Sequence, residues 1–385
     1  WANVTLFPFI IHRIMLSNGN TSIDILKTRY NLAFTSSHVN SPKYLWCVNH
    51  YGPNNQLKDF TKCCVIAIMH NFTLIIPPIF PHYQDKTQGI QNFGDFYDLE
   101  QLAQVLNFIT IKQFIQKTKD NQNTTTIDCN MQQRDLDVHM TYYSENSWKS
   151  VENDHNIKIH FNRLVNLSSQ PNLKEEIIRE AENCTSIFLN IHYLALTHLS
   201  KAENTLVQKL FRHIHRTSLI QRMASQLINQ LPQLAIGNFS GNKLTKWAVA
   251  HMRLGDRVVM SVPRYLKQIL HLIANGVHFT HLHIMCPYLN STDIDQVTNS
   301  VPVAITTTTQ LFDRVRLALD DYLFDVLEQE ISFQAPIFIA SPGTTYSATI
   351  VMQRLHQKKG TTYIFSDQPE NHTFLVTEQN AIYYC

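Results

Sequence analysis

A charged cluster at residues 250–257, "AHMRLGDR", places His251, Arg253 and Asp256 close together directly after an apolar run. An arginine at the end of a buried strand can reach a ligand in the crevice beyond it, and its planar guanidinium suits phosphate oxygens. The pattern therefore indicates an anion site in which Asp256 orients a basic group or holds the loop. The alternative is structural, an Arg–Asp pair with a histidine at the edge of the core.

A second candidate site lies at residues 339–350, "IASPGTTYSATI". Thr344 and Thr345 are placed to cap a following helix, and a helix N-terminus presents free N–H groups and the positive end of a dipole. The hydroxyls of Thr345, Tyr346 and Ser347 add hydrogen-bond donors. The pattern indicates an anion seat, and plain capping is the alternative.

A third candidate site is the amide-rich stretch "YGPNNQ" at residues 51–56. The side chains of Asn54, Asn55 and Gln56 both donate and accept, so they can bind sugar hydroxyls and phosphate oxygens, with Gly52 allowing close approach. The alternative is turn chemistry at Gly52-Pro53, with one asparagine as a helix cap.

The elements that must position these residues alternate between strands and helices. In the second half the strands are "KWAVAHMRL", "THLHIMC", "VPVAITT", "PIFIAS" and "TTYIFS", and helical patterns lie between them, including "FDRVRLALDDYLFDVLEQE" as one helix. This alternation predicts a mostly parallel, Rossmann-like sheet. In the first half "KYLWCVN" and "FTLIIPPI" are predicted strands flanking the helix "LKDFTKCCVIAIMHN". Residues 51–55 are then a strand-to-helix loop, which borders the ligand crevice in open α/β sheets.

The chain length of 385 residues suits two domains. Turn residues cluster in "LAIGNFSGNKLTK", which predicts an N-terminal Rossmann-like domain over 1–240 and a C-terminal one over 241–385. Residues 116–170 are polar and rich in Asn and Thr, and we interpret them as an insertion or surface excursion.

Charge, hydropathy and sequons bear on the class of partner and on the cellular compartment. The net charge is +2 without a Lys/Arg run, which does not support nucleic-acid binding, and no apolar stretch reaches the length of a membrane helix. Nine N-x-[ST] sequons, against roughly four expected by chance, favour the lumen of the secretory pathway. The seven cysteines allow two or three disulfides there, with the pairing left open, and one of Cys63 and Cys64 is predicted to be a buried thiol.

Metal chemistry and common catalytic motifs are not indicated. Walker A, G-x-G-x-x-G, G-x-S-x-G and H-E-x-x-H motifs do not occur. The two D-x-D strings, at 135–137 and 293–295, lie in polar segments and are interpreted as solvated. Strand alternation is expected to split His278, His281 and His283 between two faces, so no metal cluster is predicted.

Together, the motifs resemble the GDP-fucose protein O-fucosyltransferase family. "GPNNQLKDFTKCCVIAIMHNFTLIIPP" is similar to its first motif, in which Asn71 occupies the sequon, and "FGDFYDLEQL" is similar to the segment that follows. "AHMRLGDR" resembles the H-x-R motif. "PIFIASPGTTYSATIVMQRL" resembles the third motif, a strand, a polar turn and a helix ending near Arg354. The likeness spans residues 43–367.

The resemblance implies a GT-B fold, two Rossmann-like halves facing across a cleft with the donor mainly on the C-terminal half. It implies inverting transfer of fucose from GDP-fucose to a Ser/Thr hydroxyl, without a metal or other cofactor. The acceptor would be a folded, disulfide-rich domain in the endoplasmic reticulum or Golgi, and the enzyme would be a monomer.

Site roles follow from the same resemblance. Arg253 matches the phosphate-binding arginine, Asn55 matches the active-site asparagine beside the sugar, and Thr345 and Tyr346 match a Ser-Phe pair near the β-phosphate. The remaining residues expected in the GDP-fucose site are Gly52, Asn54, Gln56, His251, Asp256, Thr344 and Ser347.

The chain departs from some members of that family at the catalytic base. Those relatives carry a glutamate base in the first motif, whereas residues 51–55 contain no glutamate. Either no side-chain base is used, or activity is lost, or the base lies elsewhere, with Asp98, Glu100 and Asp256 as candidates. Two alternatives stay open: a fucosyltransferase acting on glycans (α1,2 or α1,6 type), and an inactive protein that binds GDP-fucose or glycans.

Overall fold

Two six-stranded sheets with helices around them form the protein. The computed structural model describes residues 43–48, 53–80, 91–133, 138–168, 173–191, 200–236, 246–254, 260–315, 321–367 and 373–377. The strands are β1 (Tyr44–Cys47), β2 (Thr73–Ile76), β3 (Phe108–Thr110), β4 (Thr124–Gln133), β5 (Lys158–Leu167), β6 (Ser186–Asn190), β7 (Trp247–His251), β8 (His281–Met285), β9 (Ala304–Thr307), β10 (Ile337–Ala340), β11 (Thr361–Ile364) and β12 (Phe374–Leu375).

The helices of the first half are α1 (Pro53–Met69), α2 (Phe93–Phe96), α3 (Leu99–Leu102), α4 (Ile111–Thr118), α5 (Val138–His155), α6 (Leu173–Ala181), α7 (Lys201–His213), α8 (Ser218–Ile228) and α9 (Leu231–Leu234). Those of the second half are α10 (Val262–Ala274), α11 (Ser291–Ser300), α12 (Thr308–Val315), α13 (Asp321–Gln334) and α14 (Thr345–His356).

The first sheet has the order β3-β2-β1-β6-β4-β5, and all its strand pairs are parallel. The second has the order β12-β11-β10-β7-β8-β9, and only β12 is antiparallel to its neighbour. Strands β7 and β8 are buried along their whole length, as expected for a parallel sheet covered by helices on both faces. The α/β class is confirmed.

The polar segment 116–170 is not a surface excursion. It supplies β4 and β5, and β4 pairs with both β5 and β6, so these strands are integral to the first sheet. Their polar composition concealed them because β5 is the edge strand and is largely exposed. Helix α12 ends at Val315 and α13 begins at Asp321, and the single long helix predicted at 312–330 stays a prediction because residues 316–320 lie outside the described part.

Two of the three histidines near β8 share a face, whereas His278 lies before the strand and is exposed. His281 and His283 are two residues apart, so both point to the same side of the strand, and both contact the Thr306 hydroxyl on β9, at 2.9 and 3.1 Å. His283 also bonds the Glu328 carboxylate of α13 through Nε2 at 3.2 Å. This buried polar cluster ties β8, β9 and α13 together.

Two disulfides reinforce the first half. Cys47 at the end of β1 is bonded to Cys63 in α1, and Cys129 in β4 is bonded to Cys184, just before β6. Cys64 is a buried free thiol whose pKa is raised well above its usual value by burial, as expected for one of the two adjacent cysteines. Within the ranges described, no helix is both long enough and apolar enough to span a bilayer.

Candidate active site

The strand order of the second sheet locates a crevice. From β7 the chain proceeds to β8 and β9 on one side, and then returns to β10 and β11 on the other side. Ligands of open α/β sheets bind at such a reversal, beyond the carboxyl ends of the strands. The H-x-R segment follows β7 and the Ser-Pro-Gly-Thr-Thr turn follows β10, so both predicted motifs meet at this point.

Direct hydrogen bonds join the two motifs. His251, the last residue of β7, lies 2.7 Å through Nδ1 from the Ser347 hydroxyl of α14, and that hydroxyl oxygen accepts the Ser341 amide at 3.0 Å. The imidazole also packs against the Tyr346 ring, with 5.0 Å between centroids. Burial, with the positive charge of Arg253, lowers the pKa of His251 to about 3, so the ring is neutral. Nδ1 of the neutral ring either accepts the Ser347 hydroxyl proton or donates to that oxygen, according to the tautomer.

Arg253 is held through its backbone. Its amide donates to the Tyr265 hydroxyl at 3.0 Å, and that hydroxyl is 2.7 Å from Ser341 Oγ. Tyr265, on α10, is fully buried, whereas Arg253 is half-buried at the crevice. Sequence reasoning missed Tyr265 and Ser341, because nothing in an amphipathic helix or a strand end marks a hydroxyl that bonds across the fold.

The turn before α14 has the geometry of an anion seat. Gly343 has φ of 64°, a left-handed conformation that side chains disfavour, and Thr344 caps the helix by accepting the Ser347 amide at 3.1 Å. Within the described residues the amides of Thr345 and Tyr346 have no internal acceptor. The two alternatives are therefore compatible. Thr344 caps α14, and within the described residues the Thr345 and Tyr346 N–H groups are still available to an anion.

Two of the predicted hydroxyl donors are used internally. The Tyr346 hydroxyl donates to the carbonyl of Asp325 on α13 at 3.3 Å, and burial raises its pKa well above the usual range. The Ser347 hydroxyl is shared between His251 and Ser341. Within the described residues, the two backbone amides and the Thr345 hydroxyl remain for a ligand.

The amide stretch of the first half is helical, which corrects the predicted loop. Helix α1 begins at Pro53, whose ring suits the first turn, so Asn54, Asn55 and Gln56 form that turn at the carboxyl end of β1. Gln56 is buried and its amide pairs with the Phe80 backbone in both directions, at 2.7 and 2.9 Å. Asn54 is also buried. Within the described residues, Asn55 Oδ1 is a buried acceptor with no hydrogen-bond partner.

Packing links the two halves of the site. Helix α1, which carries Asn55, packs against α14, which begins at Thr345, and both pack against α7. The Cys47–Cys63 disulfide fixes α1 to the strand that precedes it. Gly52 and Asp256 lie outside the described residues.

The candidate bases differ in their surroundings. The Asp98 carboxylate caps α3 by accepting the amides of Glu100 and Gln101, whereas the Glu100 side chain is exposed. Asp293 of the second D-x-D string forms a capping box with Asn290 on the exposed start of α11. Among the residues that the structure describes, no three His, Cys, Asp or Glu side chains group to hold a metal ion.

Comparison with solved structures gives similar folds over nearly the whole chain. POFUT1 in complex with GDP-fucose has a TM-score of 0.61 at 11% identity, over 86% of this chain and 99% of that one. POFUT1 in complex with GDP has a TM-score of 0.60 at 12% identity, over 85% and 99%. The fucosyltransferase NodZ from Bradyrhizobium has a TM-score of 0.46 at 12% identity, over 88% and 99%. The fold is therefore GT-B, as the resemblance implied, with two Rossmann-like halves facing across a cleft.

Comparison by sequence identifies the family. No curated protein matches the chain. The family model for GDP-fucose protein O-fucosyltransferase matches residues 44–283, well over half of the chain, which includes Asn55, His251 and Arg253. The chain therefore belongs to the GDP-fucose protein O-fucosyltransferase family, and it is a fucosyltransferase that uses GDP-fucose.

Proposed function

We propose that the protein transfers fucose from GDP-fucose to a serine or threonine hydroxyl of a folded protein domain in the lumen of the secretory pathway. The transfer inverts the configuration at fucose C1 and needs no metal ion. The observation that carries this proposal is that the end of β7 and the turn before α14 meet at the sheet reversal, where His251 bonds Ser347 and where the Thr345 and Tyr346 amides have no acceptor among the described residues. The two disulfides support an oxidising compartment.

Glycosyl transfer requires groups that stabilise the negative charge developing on the departing diphosphate. The bond between fucose C1 and the β-phosphate oxygen breaks while the acceptor oxygen bonds to C1 from the opposite face. The departing diphosphate gains charge, which Arg253 and the N-terminus of α14 stabilise electrostatically where many glycosyltransferases use a metal. Neutral His251 positions the turn through Ser347.

The first half contributes the side of the cleft that faces the sugar and the acceptor. Asn55 Oδ1 is buried and has no partner among the described residues. It is suited to accept a hydrogen bond from a hydroxyl of fucose or of the acceptor. Asn54 and Gln56 shape the first turn of α1, in which the pairing of Gln56 with Phe80 fixes the turn. Gly52 and Asp256 complete the proposed donor site.

The test is GDP release from GDP-fucose by purified protein in EDTA, with and without acceptor. We expect Arg253→Ala to lower kcat/KM by about 10²–10³-fold, since it removes a charge-stabilising donor. Arg253→Lys should recover little, because an ammonium lacks the planar fork. Arg222→Ala, at an exposed position on α8, is the matched control and should leave turnover unchanged.

Product analysis by mass spectrometry tests the acceptor. Fucose on serine or threonine of a folded, disulfide-rich domain supports the proposal, and α-linked fucose at C1 supports inversion. Transfer only to a glycan would replace the protein acceptor. Donor binding without turnover on any acceptor would indicate an inactive binding protein. Activity lost in EDTA and restored by Mg²⁺ or Mn²⁺ would contradict the metal-independent mechanism.

A further inference from the structure

Tyr265 is a buried residue that joins the two motifs of the donor site. Its ring is fully buried on α10 and packs edge-on against Phe365, with 4.8 Å between centroids. Its hydroxyl lies between the two motifs that form the site, 3.0 Å from the Arg253 amide and 2.7 Å from Ser341 Oγ.

The chemistry of the groups fixes the direction of the first of these bonds. The Arg253 amide can only donate, so the Tyr265 oxygen accepts from it, whereas either hydroxyl can donate in the bond between Tyr265 and Ser341 Oγ. The Ser341 amide donates to Ser347 Oγ, which bonds back to His251. The bonds therefore run from Arg253, two residues beyond β7, back to His251, the last residue of that strand. Burial raises the pKa of the Tyr265 hydroxyl, so it stays protonated across the working pH range.

Arg253 needs this support because it lies beyond the sheet. The last paired residue of β7 is His251, opposite Met285, and the Met252 amide still bonds the Met285 carbonyl. The Arg253 amide leaves the ladder and bonds the Tyr265 hydroxyl instead. We propose that Tyr265 is a positioning residue that sets the direction of the Arg253 side chain toward the α14 N-terminus. This inference rests on the proposed role of Arg253 at the diphosphate.

Tyr265→Phe is a clean test because the ring and its packing on Phe365 remain. We expect kcat/KM for GDP-fucose to fall about 10- to 100-fold, since small misplacements of a catalytic group are costly. The thermal midpoint should fall by only a few degrees. Tyr44→Phe, which changes a buried tyrosine of β1 in the first sheet, is the control and should keep full turnover.

The decisive measurement is a double-mutant cycle with Arg253→Ala, read both as kcat/KM and as the Kd for GDP by calorimetry. If Tyr265 acts through Arg253, Tyr265→Phe adds little loss once Arg253 is alanine. The same factor of loss in both backgrounds, or unchanged turnover in Tyr265→Phe, would overturn the inference while leaving the proposed function intact. Wild-type protein that neither binds GDP nor hydrolyses GDP-fucose would overturn both.

Discussion

His251 shows how burial at a single residue links the site to pH. Its folded-state pKa is about 3, because of burial and of the nearby Arg253 charge, whereas an unfolded histidine titrates near 6.5. His281, buried beside His283, has a pKa of about 4 for similar reasons. Between these values and about pH 6.5 the unfolded chain binds more protons than the native one. The contribution of these two neutral histidines to the free energy of unfolding is therefore fully present above about pH 6.5, and it is lost as the pH falls toward their folded-state pKa values.

We expect the thermal midpoint to fall progressively from pH 7 to pH 4.5. Calorimetric scans at half-unit steps measure this fall. His251→Asn should make the fall less steep, because it removes one of the two imidazoles whose lowered pKa is given above. A midpoint that stays constant between pH 7 and pH 5 in the wild type would contradict the neutral, buried state of His251.

Arg354 is a residue whose role the structure defines as structural. It is fully buried in α14 and burial lowers its pKa to about 9, so it remains charged at neutral pH. Its guanidinium donates to three carbonyls at the C-terminal end of α13, those of Ser332, Phe333 and Ala335. It also donates to the first two residues of β11, at the Thr361 carbonyl and the Thr362 hydroxyl. A cation at a helix C-terminus also complements the helix dipole.

Arg354→Met is expected to lower the free energy of unfolding by about 3–5 kcal/mol, because it leaves several buried acceptors without a donor. Guanidinium denaturation measures the loss. Gly360→Ala is an independent probe of the same turn, since a Cβ there would lie 2.3 Å from the Pro336 carbonyl oxygen and 2.8 Å from Arg354 Nη2. A loss below about 1 kcal/mol in both variants would mean that the turn repacks at little cost.

At the scale of elements, the sequence predicts what is locally apolar. Strands β10 and β11 were predicted because four-residue apolar or β-branched runs between turn residues leave few other structures. Strands β4 and β5 were missed because their strand character comes from pairing with each other and with β6, which no local pattern contains.

In the site, too, features with a local sequence pattern were predictable, and features set by distant contacts were not. The strand ends that carry Arg253 and Thr344 were predictable from periodicity, and their convergence follows from sheet order. The helical state of Asn54 and Asn55 was not, because their weak helix propensity is overridden by Pro53 and by the pairing of Gln56 with Phe80. Tyr265 was not predictable either, since it meets Ser341 across 76 residues of sequence.

The Cys47–Cys63 disulfide is an element-scale device that fixes α1, and with it Asn55, to β1. The double substitution Cys47→Ser/Cys63→Ser avoids mispairing with the free Cys64 beside it. We expect a loss of about 3 kcal/mol, the value for a loop of about 15 residues, together with a higher KM for GDP-fucose. Denaturation and steady-state kinetics measure the two effects.

The matched control is Cys129→Ser/Cys184→Ser, which removes the disulfide between β4 and the start of β6. This variant should lose stability without a change in KM, because neither element carries a proposed site residue. Equal changes in KM for the two variants would show that the first disulfide has no particular role in holding Asn55.

At the scale of the whole molecule, one core joins the two sheets. A single apolar cluster includes residues of α1, α7 and α8 as well as of α13 and α14. Helix α7 packs against both α1 and α14, and α8 packs against α13. Residues 201–234 thus contact both halves, and the boundary predicted near residue 240 stays a prediction because residues 237–245 lie outside the described part. A shared core favours unfolding in a single transition.

Arg216 is a buried charged residue that contacts both halves of the molecule. It is buried between the halves, stacks on Tyr97 at 4.4 Å from the ring centroid, and hydrogen-bonds Gln329 of α13. A desolvated cation–π contact and a charged hydrogen bond together predict a loss of about 2–4 kcal/mol in Arg216→Ala. A double-mutant cycle with Gln329→Ala should give a coupling of about 1–3 kcal/mol, measured by denaturation after near- and far-ultraviolet dichroism are found to coincide. Additive losses would mean that Arg216 is stabilised within the first half alone, and two separate transitions in the wild type would mean that the halves unfold independently.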